Sequence, residues 1–466
     1  MDDTNMLIES KRERIEMFAA ATAAANTLVP RPPRTVNETG LPFVFLVELA
    51  VKVLFLRGLV RLVELASHLK LSVSVLDPMI TFMRAEKLCE VTRIGSTGTD
   101  ADISYKLTDL GRVRGVEYLN RCGYAGPAPV TLDCYSNEIQ ARSVALMRIS
   151  RAAVLAEFGK LVVSAGVLDQ LGAAMNSGRA MFIHGPAGSG KTFLAERLAG
   201  LLNGSINVPH ALYVGGEVVQ MYDPVVHREP EGCGIAVDAF HPRTARDARW
   251  ITCKRPAVLT GGELTLDMLD LKFDQTTRYY HAPPHLKANN GVFIVDDLGR
   301  QRCSPTDLLN RWIVPMDRKV DFLSLHTGYK FQVPFDVIVV FSSNLPPAEL
   351  GDGAFLRRIG YKIHVGPVVE KDYRSIFVRA CEEHGIEWNS DAFEYLLHDH
   401  HYREDRPLLA CYPRDLLSQV RDKGAYEGEK PVLTPEALRW AWNNYFTGAQ
   451  LTVAETTDCN LQTEGG

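Results

Sequence analysis

The sequence predicts an α/β protein: a mainly parallel sheet with helices on both faces, a C-terminal helical lid, and a small N-terminal α+β domain. Three observations carry this. From residue 180 onward, short apolar runs alternate with helix-spaced segments, as in strands joined by crossover helices. One run, Ala180 to His184, leads into a glycine-rich loop and then into FLAERLAGLL at helical spacing. Another, Val292 to Val295, ends in two adjacent aspartates, Asp296 and Asp297.

The bulk numbers set the frame. The 466 residues allow about two to four domains. A net charge of -5 argues against non-specific coating of nucleic acid, while a local basic face stays open. Nine cysteines are scattered without a CxxC pair, which argues against a zinc site or disulfide framework and fits a reducing cytoplasm. The opening MDDTNMLIESKRERIEM has no signal-peptide core. The apolar stretch 41–60 is long enough to span a bilayer, but Glu48, Lys52 and Arg57 recur on one stripe. A soluble helix is expected there, and no membrane span.

Residues 1–40 read as a helical arm and linker, broken by RPPRTVNETG. Within 41–118, helices at 42–57, near 59–69 and near 73–87 precede two short strands around a Gly/Asp-rich turn at 95–102. Three helices and such a wing resemble a winged helix-turn-helix domain. The third helix offers only Arg84 and Lys87 as cations, beside Asp77 and Glu86, so a protein-docking role is expected ahead of DNA binding. The Gly/Pro-rich stretch within 119–140 reads as a linker. The α/β core is expected over 141–366, the lid over 367–447 and a disordered tail over 448–466.

RAMFIHGPAGSGKTFLAERLA, 179–199, holds the strongest motif. Gly185, Pro186, Ala187, Gly188, Ser189, Gly190, Lys191 and Thr192 match GxxxxGK[ST] between a strand and a helix. Glycines let backbone N–H groups converge on a polyphosphate at a helix N-terminus. Lys191 adds a charge near the outer phosphates. The Thr192 hydroxyl suits a hydrated Mg²⁺. This resembles the P-loop NTPase arrangement.

With that loop in place the acid pair acquires roles. Asp296 can hold Mg²⁺ through its waters, and Asp297 can orient or deprotonate the attacking water. FDVIVVFSSN, 335–344, is a further strand, and its terminal Asn344 can hydrogen-bond the γ-phosphate or the water. Arg357 and Arg358 stand at a helix end, where one could reach a neighbouring subunit's nucleotide. Arg414 opens a helix at CYPRDLLSQV and could close over the phosphates. Glu263 has no evident strand end before it. Asp223, His227 and His241 lack a metal spacing. YYHAPPHLKANN, 279–290, could contact substrate or pack as an ordinary loop.

The ordered set over roughly 140–447 resembles the AAA+ ATPase superfamily. The resemblance implies Mg·ATP hydrolysis at a site between subunits, a ring that is commonly a hexamer, and remodelling of an unidentified macromolecular client, with DNA a secondary possibility. An ATP-gated DNA-binding regulator with slow hydrolysis is the alternative. The Asp-Asp pair departs from the commoner Asp-Glu, which puts the rate in question. A hairpin at 321–333 before the Asn344 strand looks like the pre-sensor insertion of MoxR-like members.

Overall fold

The computed structural model describes residues 30–93, 103–159, 161–231, 246–350 and 353–446. The arm up to 29, the wing turn 95–102, His241 and the tail 448–466 lie outside the described residues.

The core is a five-stranded parallel sheet. Its strands are β1 (Met181–His184), β2 (Ala257–Thr260), β3 (Val292–Val295), β4 (Ile338–Ser343) and β5 (Tyr361–His364). They lie in the order β2-β3-β4-β1-β5. Successive side chains point to opposite faces, and both faces are covered. Met181, Ile183, Val292, Ile294, Ile338 and Val340 pack with the helices Arg151–Phe158, Ala165–Ser177 and Lys191–Arg197. Phe182, Phe293, Val339 and Phe341 pack on the other face with Trp312 of the helix Pro305–Arg318. Burial on both faces explains why these strands read as unbroken apolar runs. Each fully buried Phe contributes about 2–3 kcal/mol of transfer free energy.

The hairpin Val320–Ser324 with Lys330–Pro334 follows in antiparallel register. Beyond the sheet, the helices Glu370–His384, Ser390–Tyr395, Tyr412–Glu427 and Pro435–Phe446 close a core of their own around Tyr373, Phe377, Phe393, Leu417 and Trp442.

At the N-terminal side, helices Phe43–Arg57, Leu62–Leu69 and Val73–Ala85 accompany strands Val60–Arg61, Cys89–Arg93 and Ser104–Leu107. The sheet is antiparallel, with the last strand in the middle. A fourth helix, Asp109–Arg121, runs through the boundary expected at 118. Its glycines mask it in the sequence. A Cβ on Gly111 would lie 1.9 Å from the Leu88 carbonyl oxygen, and one on Gly115 would lie 2.9 Å from Phe55. Two of the three charges of the first helix meet this fourth one: Glu48 pairs with Arg121, and the Lys52 ammonium donates to the Cys122 carbonyl at 3.1 Å, whereas Arg57 donates to His68 Nδ1 at 2.9 Å. Among the described residues no helix is long and apolar enough to cross a membrane.

The stretch 119–140 corrects the expected linker. Tyr124 and Ala128 are buried, Val130–Thr131 is a strand, and Leu132–Ala141 is a helix capped by Thr131. Its Gly/Pro composition reads as a tether, yet its backbone is engaged elsewhere: Gly123 N–H donates to the Thr277 carbonyl and Ala128 N–H to that of Leu69, both at 2.8 Å. Val130–Thr131 is the edge of a second five-stranded sheet. Ala211–Val214, Glu217–Gln220, Tyr279–His281 and Lys272–Asp274 complete it. Its two faces serve two cores. Ala211 and Val218 join the N-terminal helices, whereas Leu212, Val214 and Val219 face the hairpin residues Leu323 and Val333.

Candidate functional site

The glycine loop bends at φ values that side chains avoid. Gly188 sits at φ 82°, where a Cβ would also fall 2.4 Å from Cys411 Sγ; one on Gly185 would fall 2.0 Å from the Val365 carbonyl oxygen. Pro186 and the exposed Ala187 form its tip, and the helix Lys191–Arg197 starts directly after Gly190.

The strand order does the rest. β4 lies between β1 and β3, so Asn344 at its end falls between the glycine loop and the acid pair. Lys191 is buried, and its ammonium donates to Asn344 Oδ1 at 2.9 Å and to the Pro186 carbonyl at 2.8 Å. Asn344 Nδ2 donates to Asp297 Oδ1 at 3.2 Å. Thr192 Oγ1 donates to Asp296 Oδ2 at 2.8 Å. Burial holds the Lys191 pKa below its ordinary value, with Asp297 and Asp296 opposing. Five candidates spread over 153 positions thus form two short hydrogen-bonded chains at one sheet edge.

Two buried oxygens there have no hydrogen-bond partner, Asp296 Oδ1 and Ser189 Oγ. A buried carboxylate oxygen without a donor is costly. Beside the Thr192 hydroxyl, it fits a hydrated divalent cation: hard oxygen ligands on a site that leaves room for water.

Gln301 is a site residue that the sequence reading missed. Its amide donates to the carbonyls of Asp296 at 2.9 Å and of Asp297 and Gly261 at 3.3 Å, and accepts from Gly299 N–H at 2.9 Å. These bonds clamp the turn in which Asp297 takes the left-handed conformation, φ 49°. That conformation costs roughly 1 kcal/mol for a non-glycine residue. The only sequence signal was the glutamine following Asp-Asp-Leu-Gly-Arg. His184 was also missed. Its ring stands 5.1 Å from that of His364, and burial, His364 and Lys191 lower its pKa.

The remaining candidates divide. Arg414 is exposed in the first turn of Tyr412–Glu427, and that helix abuts the loop, because Cys411 N–H donates to the Gly188 carbonyl at 3.1 Å. Arg358 is tied to Asp317 at 2.7 Å, while Arg357 beside it is exposed. Glu263 does follow a strand end, contrary to expectation: β2 closes at Thr260, and Glu263 Oε1 accepts from Gly261 N–H at 2.8 Å. Asp223 pairs with Lys287 at 2.8 Å, and His227 is buried against the Lys287 carbonyl. The 279–290 stretch is packed rather than open, since His285 and Leu286 are buried in the short helix Pro284–Lys287. That removes the substrate-contact reading for its middle.

The parallel sheet, the glycine loop between its strand and helix, and the helices on both faces make this an α/β fold of the P-loop kind. A family described as a domain of unknown function (DUF8689) matches residues 369–444. No curated protein matches the sequence. Among solved structures, NtrX from Brucella abortus in complex with ADP is similar at 14% identity and a TM-score of 0.37, over 61% of this chain and 55% of that one. The Thermotoga maritima RuvB Holliday junction branch migration motor is similar at 14% identity and a TM-score of 0.34, over 60% of this chain and 69% of that one. The chain thus spans just over half the length of NtrX.

Proposed function

We propose that this protein binds Mg·ATP and hydrolyses it to ADP and phosphate, and that as a ring oligomer in the cytoplasm it uses the cycle to remodel a macromolecular client. The observation that carries the reading is the junction of Lys191, Asn344 and Asp297 at the mouth of the glycine loop. The backbone amides of 185–192 bind the phosphates. Lys191 exchanges its bonds to Pro186 and Asn344 for β- and γ-phosphate oxygens. Thr192 and Asp296 would hold Mg²⁺, which supplies charge neutralisation on the phosphates. Asp297 orients the water, and Asn344, released from Lys191, reaches the water or the γ-phosphate. Arg414 approaches the phosphates from the lid. Arg357 or Arg358 acts on the nucleotide of a neighbouring subunit. Steady-state phosphate release from wild type, absent in Asp297→Asn while ATP still binds, is the deciding experiment. A wild-type chain that binds but never turns over would sink the hydrolysis reading.

The N-terminal unit is proposed to be a winged-helix-type module that docks a protein. The helix order and the strand order support the type. The exposed face of Val73–Ala85 supports the partner: Val73, Ser74, Asp77, Pro78, Thr81, Phe82 and Arg84 lie there, a single cation beside an acid and apolar side chains. The N-terminal end of that helix is engaged on one side, because Ser72 Oγ and Ser74 Oγ donate to the Pro33 and Arg34 carbonyls at 3.1 and 2.9 Å. A base-reading helix needs that end free. The hairpin Val320–Pro334 is consistent with a pre-sensor insertion. The ATP-gated DNA regulator remains the rival, and a steep loss of duplex affinity with salt would favour it.

A further inference from the structure

A cleft of about 570 Å³ lies away from the glycine loop, at the N-terminal ends of the core strands. The turn Gly178–Arg179, which leads into β1, forms one wall, and Pro334–Asp336, which leads into β4, forms another. The helix Leu132–Ala141 contributes Ser136 and Gln140. Three cations line it: Arg179, Arg318 and Lys319.

Its charge is not balanced from within. Lys319 donates to the Gly178 carbonyl at 2.9 Å and so is fixed in the wall without an acid of its own. Arg179 N–H donates to Ser177 Oγ at 3.1 Å, but among the described residues neither the Arg179 nor the Arg318 guanidinium has a hydrogen-bonded or ion-paired partner, and both residues are exposed. The single acid on the lining is Asp336. It is consumed by the Ser143 hydroxyl at 2.7 Å, the Val144 N–H at 2.8 Å and the Asn290 amide at 2.6 Å. Three cations therefore face a cavity with one carboxylate, whose hydrogen-bonding capacity is taken up by neutral donors and whose charge offsets one of the three.

We propose that this cleft is a second ligand site, distinct from the glycine loop, which takes a small organic phosphate. A dianionic monoester matches the charge excess. Guanidinium forks suit phosphate oxygens, and an ammonium adds a point charge beside them. The volume falls within the usual range for small-molecule sites, about 300–1,000 Å³. It is large enough for a sugar body and too confined for a folded partner. Ser136 and Gln140 supply hydroxyl and amide groups for the neutral part of the ligand.

The test is calorimetric titration of the full chain with ribose 5-phosphate, which lacks both base and phosphoanhydride. Succinate serves as the dicarboxylate contrast. Saturable binding near one equivalent is expected for wild type and equally for Lys191→Ala, because the glycine loop is not involved. In the double variant Arg179→Ala/Arg318→Ala, affinity should fall by about a hundredfold or more, from two lost charge-assisted contacts. Both arginines are exposed, so melting temperature should not change; Arg318→Gln alone, at about a tenfold loss, is the milder check. Absent binding, binding lost with Lys191→Ala alone, binding unaffected by the double variant, or succinate binding as tightly as the phosphate ester would each overturn the proposal.

Discussion

Lys191 and Asn344 are joined by a 2.9 Å hydrogen bond between the helix after the glycine loop and the end of β4. With Pro186 as its second acceptor, the ammonium is held inside its own loop. A triphosphate must compete for those donors, and it does so with charged oxygens that bind them more strongly. Lys191→Ala is therefore expected to weaken ATP binding by about a hundredfold, the equivalent of roughly 3 kcal/mol of charge-assisted bonding. A fluorescent-nucleotide titration reads this directly. Unchanged affinity would mean that phosphates are bound elsewhere.

Asp297 and Gln301 should separate chemistry from binding. Asp297→Asn keeps the hydrogen bond from Asn344 within reach but loses the basic oxygen. Turnover should fall by about 10²–10⁴, the range for a lost general base, with nucleotide affinity retained. Gln301→Ala leaves the carboxylate in place and releases two carbonyls and one N–H of its turn, together with the Gly261 carbonyl beyond β2. A smaller loss, about tenfold in kcat, is expected, since slight misplacement of a water-orienting group is costly. A Gln301→Ala enzyme with wild-type kcat would leave the glutamine a merely local cap.

The strands and loop that make the site were legible because their chemistry is local. β1, β3 and β4 are buried on both faces and announce themselves as apolar runs, and Lys191 to Thr192 obey a fixed spacing. The convergence of Asn344 on Lys191 was legible only through order along the chain. What stayed hidden depends on distant partners. The strand Val130–Thr131 has two residues, and its pairing partners lie near 212. Gly111 and Gly115 weaken the helical signal of their stretch, although they are small so that a helix can dock. Gln301 acts through backbone carbonyls, which carry no residue signature.

Arg357 and Arg358 differ in what already holds them. Arg358 spends its guanidinium on Asp317 of the helix Pro305–Arg318. Arg357 is exposed one residue earlier. If the protein assembles as proposed, Arg357→Ala should abolish most turnover while leaving the melting temperature unchanged. Arg358→Ala should lower the melting temperature slightly, because a half-exposed ion pair is worth about 1 kcal/mol or less. Mixing Arg357→Ala with Lys191→Ala chains gives the decisive readout: each lacks a different part of a shared site, so partial activity should return. No recovery on mixing would argue that the arginine acts within its own chain or not at all.

Buried charge away from the site sets the response to acid. Asp321 accepts from His285 Nε2 at 2.8 Å and from the Arg311 guanidinium at 2.7 and 2.9 Å. Burial alone would raise its pKa, but these bonds outweigh burial and hold it at about 2. A carboxyl depressed in the fold stabilises fully above its ordinary value of 3.8, and that share is lost as pH falls toward about 2. His285 titrates with the same sign by another route. Burial pushes its pKa below 6.5, so the unfolded chain takes up the proton first as pH drops through that value. His210 and His401, both lowered to about 4 by burial, act in the same direction. Melting temperature should therefore fall steadily from pH 7 to pH 4, and His285→Gln should flatten part of that slope. Asp321→Asn should cost about 3 kcal/mol at neutral pH, since it takes the buried bidentate carboxylate from Arg311 and leaves it only the more exposed Asp270 at 3.6 Å. Scanning calorimetry across the pH series distinguishes the two variants: the histidine change alters the slope, and the aspartate change lowers the whole curve.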